Sequence, residues 1–410
     1  MSDIWLFNPY GPIPGEAWRD YRFTMIAETL AAEGHRVIWW TAAYSHHFKR
    51  QRTEDWQDIE VSPCFTVRLV PTPSYSRHIG VGRVWCEIVY AVRAFLRARN
   101  EAPPKIVIAT DPPQAVGLLG SALARRHQAK LVIDVMDLWP ELFSLVFPKT
   151  LRKLAPILFW PLYALRRRSF RRADALTALC ETYMRVAARE ASQKTPTQII
   201  YNGIRMATLR KQIDKPKTVK IPKRRDNEVW AIYAGTLGDN YDIPTLLEAM
   251  KLAWQSCVPL HLFVAGDGPL VRKVAGAARR SDANVTYLGK LDTESLAAYY
   301  SECQIGICAY GAESNVAMPD KAYDYMAAGL AIVNSLPGEL AAVLNQQAAG
   351  ISYEAGNHYS LAGVLEHLAY RPHECARLGA NALAAANLFD RDKQYAKFLE
   401  VVSPLAETVN

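Results

Sequence analysis

The sequence lacks three features that define specialised classes of protein. It has no run of about 18 apolar residues, so we expect no transmembrane helix. Its start, MSDIWLFNPY, does not follow the basic, apolar and small-residue order of a signal peptide, and we therefore expect a cytoplasmic protein. Its seven cysteines are odd in number and scattered without a CxxC pair. This pattern argues against a disulfide framework and against a zinc site.

The residues that are present describe a globular chain of two domains. The chain has 410 residues, of which 50% are hydrophobic and 21% are charged. This length exceeds what one hydrophobic core usually serves. The formal net charge of +8 predicts an anionic partner, which can be a nucleic acid, a membrane surface or a phosphorylated substrate.

Strands alternate with amphipathic helices along most of the chain. Residues 4–7 and 37–40 read as strands around a helix at 21–32, and further helices are predicted near 82–99, 114–127 and 176–190. A second series begins at Val229. We therefore predict an α/β protein with two Rossmann-like, doubly wound domains whose ligand loops face an interdomain cleft. The predicted divisions are an acceptor-binding domain at 1–204, a basic linker at 205–227, a nucleotide-sugar-binding domain at 228–385, and a helix at 386–410 that packs back toward the first domain.

The stretch MPDKAYDYMAAGLAIVNS at 318–335 reads as a loop, a helix and a buried strand. Pro319 suits the first turn of a helix, and Asp320 places a carboxylate near its positive end. Such a helix start can bind a phosphate, with Lys321 as the nearest cation. The alternative is an ordinary αβ unit in which Lys321 faces water.

Two glycine-containing loops also follow predicted strands. Residues 8–15 contain Gly11 and Gly15, and the turn from Gly266 to Gly268 enters a helix. Glycine lets backbone amides approach an oxyanion closely, so both loops are candidates for binding a diphosphate. The alternatives are an irregular connection for the first loop and a simple turn for the second.

Five motifs in chain order resemble those of family 4 (group 1) glycosyltransferases. They are GHRV at 34–37, YNGI at 201–204, YAGTL at 233–237, AGDGPL at 265–270 and DYMAAG at 324–329. The DLWPE stretch at 137–141 resembles the transferases that build bacterial capsule and O-antigen polysaccharides. The resemblance implies a GT-B fold, a nucleotide-sugar donor held mainly by the second domain, and retention of anomeric configuration with no metal or other cofactor.

The sequence departs from the family pattern at three places. The family's Glu-x7-Glu pair corresponds to Val316 and Asp324, so the first carboxylate is absent and the second is shortened. The stretch from Gly235 to residue 241 lacks the Arg and Lys that hold the diphosphate in relatives. Met136 stands where relatives often have His.

The resemblance and the loops together define the predicted donor-binding residues. In relatives the residue matching Asp324 binds the ribose hydroxyls, which suits a carboxylate with two acceptor oxygens. The stretch that includes Leu288 contacts the base in relatives. The full predicted set is Gly11, Gly15, Gly235, Thr236, Gly266, Gly268, Leu288, Pro319, Asp320 and Asp324.

Carboxylates that follow predicted strands of the first domain are candidates for the acceptor side. Asp137 is the predicted catalytic residue there, because a carboxylate can orient or partly deprotonate an incoming hydroxyl. Its alternative role is to cap a helix. Lys321 is the second predicted catalytic residue, on the donor phosphate. Asp111, Asp134 and Glu141 complete the predicted acceptor side.

A basic and apolar stretch at 151–172 predicts contact with a membrane. It holds seven Lys or Arg residues and no acid around an apolar run that is too short to span a bilayer. Such a segment suits an anionic membrane surface, and the alternative is a core helix with a basic end. Nucleic acid is not expected, because no recognised binding motif accompanies the charge. The predicted membrane residues are Arg152, Lys153, Trp160, Arg166, Arg167 and Arg168.

These observations predict a retaining glycosyltransferase at the inner face of the membrane. It would move a sugar from a nucleotide-diphosphate donor, UDP-linked by expectation, to a polyprenyl-diphosphate-linked saccharide in surface polysaccharide synthesis. One rival is a GT-B sugar-nucleotide epimerase. A second rival is a binding subunit that lost its chemistry together with the carboxylate at the position of Val316.

Overall fold

The computed structural model describes residues 2–16, 21–77, 80–147, 150–215, 219–280 and 282–407. The chain divides into two compact units. The N-terminal unit comprises Met1–Tyr201 together with Lys393–Asn410, and the C-terminal unit comprises Asn202–Asp392.

The N-terminal unit is built on an eight-stranded sheet with the order β10-β9-β8-β7-β1-β2-β6-β5. Its strands pair in parallel except for β5, which runs antiparallel to β6 at one edge. The strands of this sheet are β1 (Asp3–Phe7), β2 (Arg36–Ala42), β5 (Gln57–Ser62), β6 (Phe65–Val70), β7 (Ile106–Asp111), β8 (Lys130–Val135), β9 (Ala175–Ala178) and β10 (Thr197–Ile199). A separate short hairpin is formed by β3 (Tyr44–Ser45) and β4 (Arg50–Gln51).

Helices cover both faces of this sheet, as expected for buried parallel strands. The helices of the unit are α1 (Arg22–Ala32), α2 (Val81–Ala98), α3 (Gln114–His127), α4 (Ala155–Leu158), α5 (Trp160–Phe170) and α6 (Glu181–Glu190), with 3-10 turns at Glu141–Val146 and Arg152–Leu154. The last helix, α15 (Arg391–Glu407), contributes Tyr395, Phe398 and Val402 to the N-terminal core.

The C-terminal unit has a six-stranded, fully parallel sheet with the order β13-β12-β11-β14-β15-β16. Its strands are β11 (Val229–Ala234), β12 (Leu260–Ala265), β13 (Val285–Gly289), β14 (Ile305–Cys308), β15 (Ala331–Asn334) and β16 (Gly350–Ser352). Its helices are α7 (Met206–Ile213), α8 (Ile243–Gln255), α9 (Val271–Arg279), α10 (Thr293–Tyr300), α11 (Asp320–Ala328), α12 (Glu339–Gln346), α13 (His358–Ala369) and α14 (Pro372–Ala386), followed by a 3-10 turn at Asn387–Phe389.

Both sheets reverse their strand order at one point, where doubly wound folds bind ligands beyond the strand ends. In the N-terminal unit the reversal lies between β1 and β7, and in the C-terminal unit it lies between β11 and β14. The loops after these four strands are therefore the first places to look for a site.

The α/β class and the two Rossmann-like units are confirmed, and two details of the prediction are wrong. The helix predicted at 176–190 begins only at Glu181, because Ala175–Ala178 is a buried strand of the sheet. The predicted linker contains helix α7, which buries Leu209. Within the described residues, no helix is both long and apolar enough to cross a membrane.

Candidate active site

Backbone hydrogen bonds connect three glycine turns of the C-terminal unit, at Gly235, Gly266 and Gly289. The Gly235 amide donates to Ala265 O at 2.9 Å, and the Gly266 amide donates to Gly289 O at 2.8 Å. A Cβ atom on Gly266 would lie 1.8 Å from the carbonyl oxygen of Gly235, so the close approach of these turns requires glycine.

These bonds change the predicted role of the glycines. The Gly268 amide is also engaged, with the side chain of Asp267 at 2.8 Å. The amides of Gly235 and Gly266 are therefore occupied by backbone carbonyls and are not free to bind a diphosphate, whereas donor binding at Gly268 stays a prediction. The glycines allow the strand ends to pack, and Tyr233 adds a hydrogen bond to the carbonyl of Thr236 at 2.7 Å.

Lys321 lies buried beside these turns, at the reversal point of the C-terminal sheet. Its side chain is only 8% exposed, and its Nζ has no hydrogen-bond partner among the described residues. The ammonium lies over three tyrosine rings, at 3.9 Å from the ring centroid of Tyr233, 4.8 Å from Tyr241 and 5.1 Å from Tyr310. A Cβ on Gly235 would lie 2.9 Å from Nζ, so this glycine makes room for the lysine.

Burial governs the charge of Lys321. It lowers the pKa of the ammonium to about 7, against smaller raising effects of Cys308 and Asp324. The alternative of a surface lysine is therefore wrong. A buried cation without a carboxylate or carbonyl partner is costly, because tyrosine faces offset only part of its lost hydration. Lys321 is the side chain of this unit best placed to gain from an anionic ligand.

Helix α11 carries the other predicted donor residues of this unit. Pro319 is its extended N-cap and makes no side-chain capping bond. Asp320 is exposed and accepts a hydrogen bond from Asn202 Nδ2 at 3.2 Å. Asp324 is buried one turn later, and its charge favours the charged form of Lys321. Leu288 lies half-buried on β13, which hydrogen-bonds to the glycine turns.

Packing explains why α11 sits at this position. A Cβ on Gly306 would lie 2.4 Å from the ring of Tyr325, so this glycine lets α11 pack directly on β14. The hydroxyl of Tyr325 in turn accepts a hydrogen bond from the Ala234 amide at 2.8 Å. These contacts fix the helix against β11 and β14 and hold Lys321 at the strand ends.

The N-terminal unit uses two of the predicted acceptor-side carboxylates for internal ion pairs. Asp134 is fully buried and binds Arg22 through both oxygens at 2.7 Å, and it also accepts from Thr177 at 2.6 Å. Glu141 binds Arg166 at 2.6 and 2.8 Å. Asp134 is enclosed by these partners, which contradicts its predicted acceptor role, whereas the role predicted for the partly exposed Glu141 stays a prediction.

The burial of Arg166 contradicts its predicted contact with a membrane. It is 1% exposed, pairs with both Glu141 and Glu190, and donates to the carbonyl of Trp139 at 2.5 Å. It therefore cannot contact a lipid surface. Arg152 is half-buried and donates to Phe147 O at 3.3 Å. The remaining predicted membrane residues, Lys153, Trp160, Arg167 and Arg168, are exposed.

Asp111, at the end of β7, is fully buried, and neither carboxylate oxygen has a hydrogen-bond partner among the described residues. Burial raises its pKa to about 8, against the lowering effect of Arg166. The group is therefore a neutral acid over most of the physiological pH range. Its burial excludes direct contact with an acceptor in this conformation, which corrects that prediction.

Asp137 is half-buried in the loop after β8. Burial raises its pKa, while hydrogen bonds from the Leu138 amide and from Trp139 and Tyr183 act in the opposite direction. The 3-10 turn that follows begins after Pro140 and has no side-chain cap, so Asp137 does not cap it. A carboxylate with a raised pKa in a loop at the carboxyl ends of the strands is suited to exchanging a proton with a hydroxyl.

A cluster around Arg83 lies next to Asp137 and was not predicted from the sequence. The guanidinium of Arg83 lies 4.5 Å from the ring centroid of Trp139 and 4.9 Å from that of Tyr10. Arg83 also donates to Tyr10 Oη and Glu87 at 3.0 Å, and Tyr10 donates to Glu87. The charge of Arg83 stabilises ionised Asp137. No sequence motif marks these residues, because they come from three separate segments.

Gly11 and Gly15 both have positive φ, of 91° and 85°, in the loop after β1. The carbonyl of Gly11 accepts a hydrogen bond from Arg52 at 2.9 Å, and the same arginine binds Glu16. The loop thus has a defined structure near Tyr10. Among the described residues, no group of His, Cys, Asp and Glu is arranged to hold a metal ion.

Comparison with known proteins identifies the class of this chain. The Glycosyl transferase 4-like domain model matches residues 21–203, and the Glycosyl transferases group 1 model matches residues 228–370. Together they span most of the chain, one in each unit. The protein is a glycosyltransferase with two Rossmann-like units. More specifically, the chain belongs to the group 1 glycosyltransferases.

Solved structures with the same fold cover nearly the whole chain. Sucrose-phosphate synthase from Thermosynechococcus elongatus is 18% identical, with a TM-score of 0.72 over 99% of both chains. HepE from Anabaena in complex with UDP and glucose is 14% identical, with a TM-score of 0.63 over 98% of this chain and 100% of that chain. WaaG, a glycosyltransferase involved in lipopolysaccharide biosynthesis, is 14% identical, with a TM-score of 0.61 over 97% and 99%.

At these identities the likeness establishes the fold alone, and that fold is GT-B. A search of curated protein sequences finds no significant match.

Proposed function

We propose that this protein is a retaining glycosyltransferase that needs no metal. It moves a hexosyl or N-acetylhexosaminyl group from a UDP-linked sugar to a polyprenyl-diphosphate-linked saccharide in surface polysaccharide synthesis. The observation that carries the donor half of this proposal is the buried, unpartnered ammonium of Lys321 at the strand reversal of the C-terminal unit.

The donor diphosphate supplies the anion that Lys321 lacks. Departure of the nucleotide leaves negative charge on the diphosphate, and a cation in a desolvated site stabilises that charge strongly. The start of α11, which has no side-chain cap, adds the positive end of a helix dipole next to Lys321. Because the amides of Gly235 and Gly266 are already bonded to backbone carbonyls, these two features carry most of the phosphate binding in this proposal.

Asp324 completes the donor half of the proposal. It is buried on the same helix and contributes a negative charge near Lys321. In this proposal its carboxylate binds the ribose hydroxyls, and HepE, a protein of the same fold solved with UDP and glucose, supports UDP as the nucleotide to test first.

Asp137 and the Arg83 cluster form the acceptor half in the N-terminal unit. In this proposal Asp137 orients the acceptor hydroxyl, and its raised pKa helps it to take up a proton. The leaving phosphate assists as a base on the same face of the sugar, which is the mechanism that the family resemblance implies. Arg83 and the rings of Tyr10 and Trp139 offer a cation and stacking surfaces for a phosphorylated saccharide.

The exposed part of the 151–172 segment supports attachment at the inner face of the membrane. Trp160 is 64% exposed, and Leu151, Leu154, Ile157 and Leu158 are also exposed. Lys153, Arg167 and Arg168 stand exposed around them. Apolar side chains with a basic rim suit the interface of an anionic bilayer.

Titration calorimetry with UDP tests the donor half of the proposal. Lys321→Met removes the charge and keeps an apolar chain of similar length among the tyrosines. We expect the Kd for UDP to rise at least about tenfold, as for loss of one charge-assisted contact. The matched control is Lys273→Met, an exposed lysine of α9 in the same unit, which should leave the Kd unchanged. Equal UDP affinity of Lys321→Met and the unmodified protein would contradict the proposal.

A nucleotide-release assay with UDP-sugars and a lipid-linked acceptor tests the transfer step. The proposal predicts acceptor-dependent release of UDP and no loss of activity in EDTA. Release without an acceptor would favour the epimerase. Donor binding without release under any condition would favour a binding subunit.

A further inference from the structure

Helix α2 exposes an apolar face to solvent. Val81 is 86% exposed and Trp85 is 57% exposed, and the same face carries four more large apolar side chains. Their spacing of three or four residues places them along one side of the helix. The face, here called the α2 stripe, comprises Val81, Val84, Trp85, Ile88, Val92 and Leu96.

The opposite side of α2 is buried, so the helix is apolar on both sides. Tyr90 is fully buried and donates to the carbonyl of Trp40 at 2.7 Å, and Cys86 and Ala94 are also buried. The one acid of the helix, Glu87, is 6% exposed and pairs with Arg83. A surface helix normally turns charged residues outward, and a helix that is apolar all round normally has a partner on each side.

The rim of the α2 stripe carries more arginine than acid. Arg93 and Arg99 are exposed on and just after α2, and at this end of the helix the exposed Glu54 and Asp55 line a surface pocket together with Arg93 and Leu96. Helix α3 packs against α2 and adds exposed Arg125 and Arg126 at its end. The excess of exposed arginine over acid around the stripe favours an anionic bilayer as its partner.

The α2 stripe also has a neighbour of the same character in the same unit. Helix α3 packs against both α2 and α5, and α5 begins at Trp160, the last residue of the exposed 151–160 segment. A chain of ring contacts also connects them. Arg83 of α2 lies over Trp139, Trp139 contacts Phe143 at 5.0 Å, and Phe143 contacts Phe159 at 5.3 Å.

We propose that the α2 stripe is a second membrane-binding element, which inserts into the interface of an anionic bilayer together with the exposed 151–160 segment. The membrane contact extends the attachment proposed above, and it rests on that proposal for its biological purpose. Exposed tryptophan suits the interfacial depth, and exposed arginines suit anionic headgroups. Two membrane-binding elements in one protein bind a bilayer more strongly than one, because once the first is bound the second is held close to the bilayer surface.

The position of Arg83 links the proposed bilayer contact of α2 to the binding of the acceptor. Arg83 stands in the first turns of α2, and its guanidinium reaches Tyr10 and Trp139 next to Asp137. A bilayer on the α2 stripe therefore brings lipid headgroups to the helix that carries the candidate acceptor residues. A lipid-linked saccharide can reach this unit without leaving the membrane.

Vesicle co-sedimentation tests the α2 stripe. The full-length protein is mixed with vesicles of phosphatidylglycerol and phosphatidylcholine, and the partition coefficient is measured for Trp85→Ser combined with Ile88→Ser. We expect a decrease of at least about tenfold, from the loss of two apolar side chains at the interface. The matched control is Tyr359→Ser combined with Tyr370→Ser, since these tyrosines are 70% and 56% exposed in the C-terminal unit. The control should partition like the unmodified protein.

Three results would overturn the proposal. They are wild-type partitioning of the Trp85→Ser/Ile88→Ser variant, no binding of the unmodified protein to anionic vesicles, and a change of oligomeric state in the variant with vesicle binding intact. The last result would assign the α2 stripe to self-association. UDP binding is measured on the same samples and should be unchanged in the variant. Loss of UDP binding in all samples with vesicle binding intact would instead count against the donor site alone.

Discussion

The two units treat buried charge in opposite ways. The N-terminal unit pairs its buried arginines, with Arg22 on Asp134 and Arg166 on two glutamates. The C-terminal unit buries Lys321 against three tyrosine faces with no hydrogen-bond acceptor among the described residues. Arginine forms several fixed hydrogen bonds and tolerates burial once paired, whereas a lysine adjusts by losing its proton.

This difference separates structural charges from candidate ligand contacts. A paired buried charge is already satisfied, so removing one partner damages the fold. An unpaired buried charge weakens the fold and can recover that free energy when a ligand of opposite charge binds. By this criterion Lys321 is a candidate ligand contact, while Arg166 and Asp134 stabilise the fold.

We expect the largest loss of folding stability when the cation of a paired buried charge is removed. Arg166→Met should destabilise the N-terminal unit by about 3 kcal/mol or more, because it leaves the carboxylates of Glu141 and Glu190 without their partner. Urea denaturation followed by tryptophan fluorescence measures the change.

The control for this prediction is an exposed ion pair in the same unit. Arg185 binds Glu181 at 2.9 Å with both side chains exposed, so Arg185→Met should change the unfolding free energy by less than about 1 kcal/mol. Equal effects of the two substitutions would remove the distinction between scaffold charges and surface charges.

A pH-dependent gain in stability is expected at Asp111, the unpaired carboxylate of the N-terminal unit. Its folded pKa is about 8, above its ordinary value of 3.8, so the folded state retains a proton that the unfolded chain releases. The stability that this proton contributes is complete below pH 3.8 and is lost as the pH rises to 8. Asp111→Asn cannot ionise. Relative to the unmodified protein it should therefore gain stability across this window, by at most about 1.4 kcal/mol for each pH unit.

Urea denaturation at pH 5, 6, 7 and 8 measures this gain. Asp55→Asn, at an exposed carboxylate of the same unit, is the control and should show no gain, because its carboxylate lies in water. A difference between Asp111→Asn and the unmodified protein that stays constant with pH would show that Asp111 is already ionised or bound in the folded state.

The sequence was sufficient to predict the sheets but not which polar residues lie inside them. The apolar runs of β7, β8, β11 and β12 mark buried parallel strands, and the α2 and α3 periodicities predict those helices within one or two residues. The strand at Ala175–Ala178 was missed because its four residues merge with the helical pattern of α6. A short strand between longer elements carries little periodic signal.

The positions of the candidate residues along the chain could be predicted from the sequence, but the ion-pair partners of the candidate carboxylates could not. Lys321 and Asp324 follow from the helix that begins after Pro319, and both lie in the C-terminal unit as buried residues. Asp134 and Glu141 also follow a strand, yet their partners Arg22 and Arg166 are distant in sequence. The Arg83 cluster was missed for the same reason, since ion pairs between distant segments depend on tertiary packing.

We propose above that Lys321 binds the diphosphate of the nucleotide. Its folded pKa of about 7 lies below its ordinary value of 10.5, so the cost of burying its charge is complete below pH 7 and disappears as the pH rises to 10.5. At pH 8 the free protein therefore holds Lys321 mostly neutral. Binding of a diphosphate favours the charged form and should be accompanied by uptake of a proton.

Calorimetry of UDP binding at pH 8, in two buffers with different ionisation enthalpies, measures that uptake most directly. The account predicts uptake of about one proton for each UDP bound by the unmodified protein, and an uptake close to zero for Lys321→Met at saturating UDP. UDP binding with no proton uptake, or with the same uptake in Lys321→Met, would contradict it.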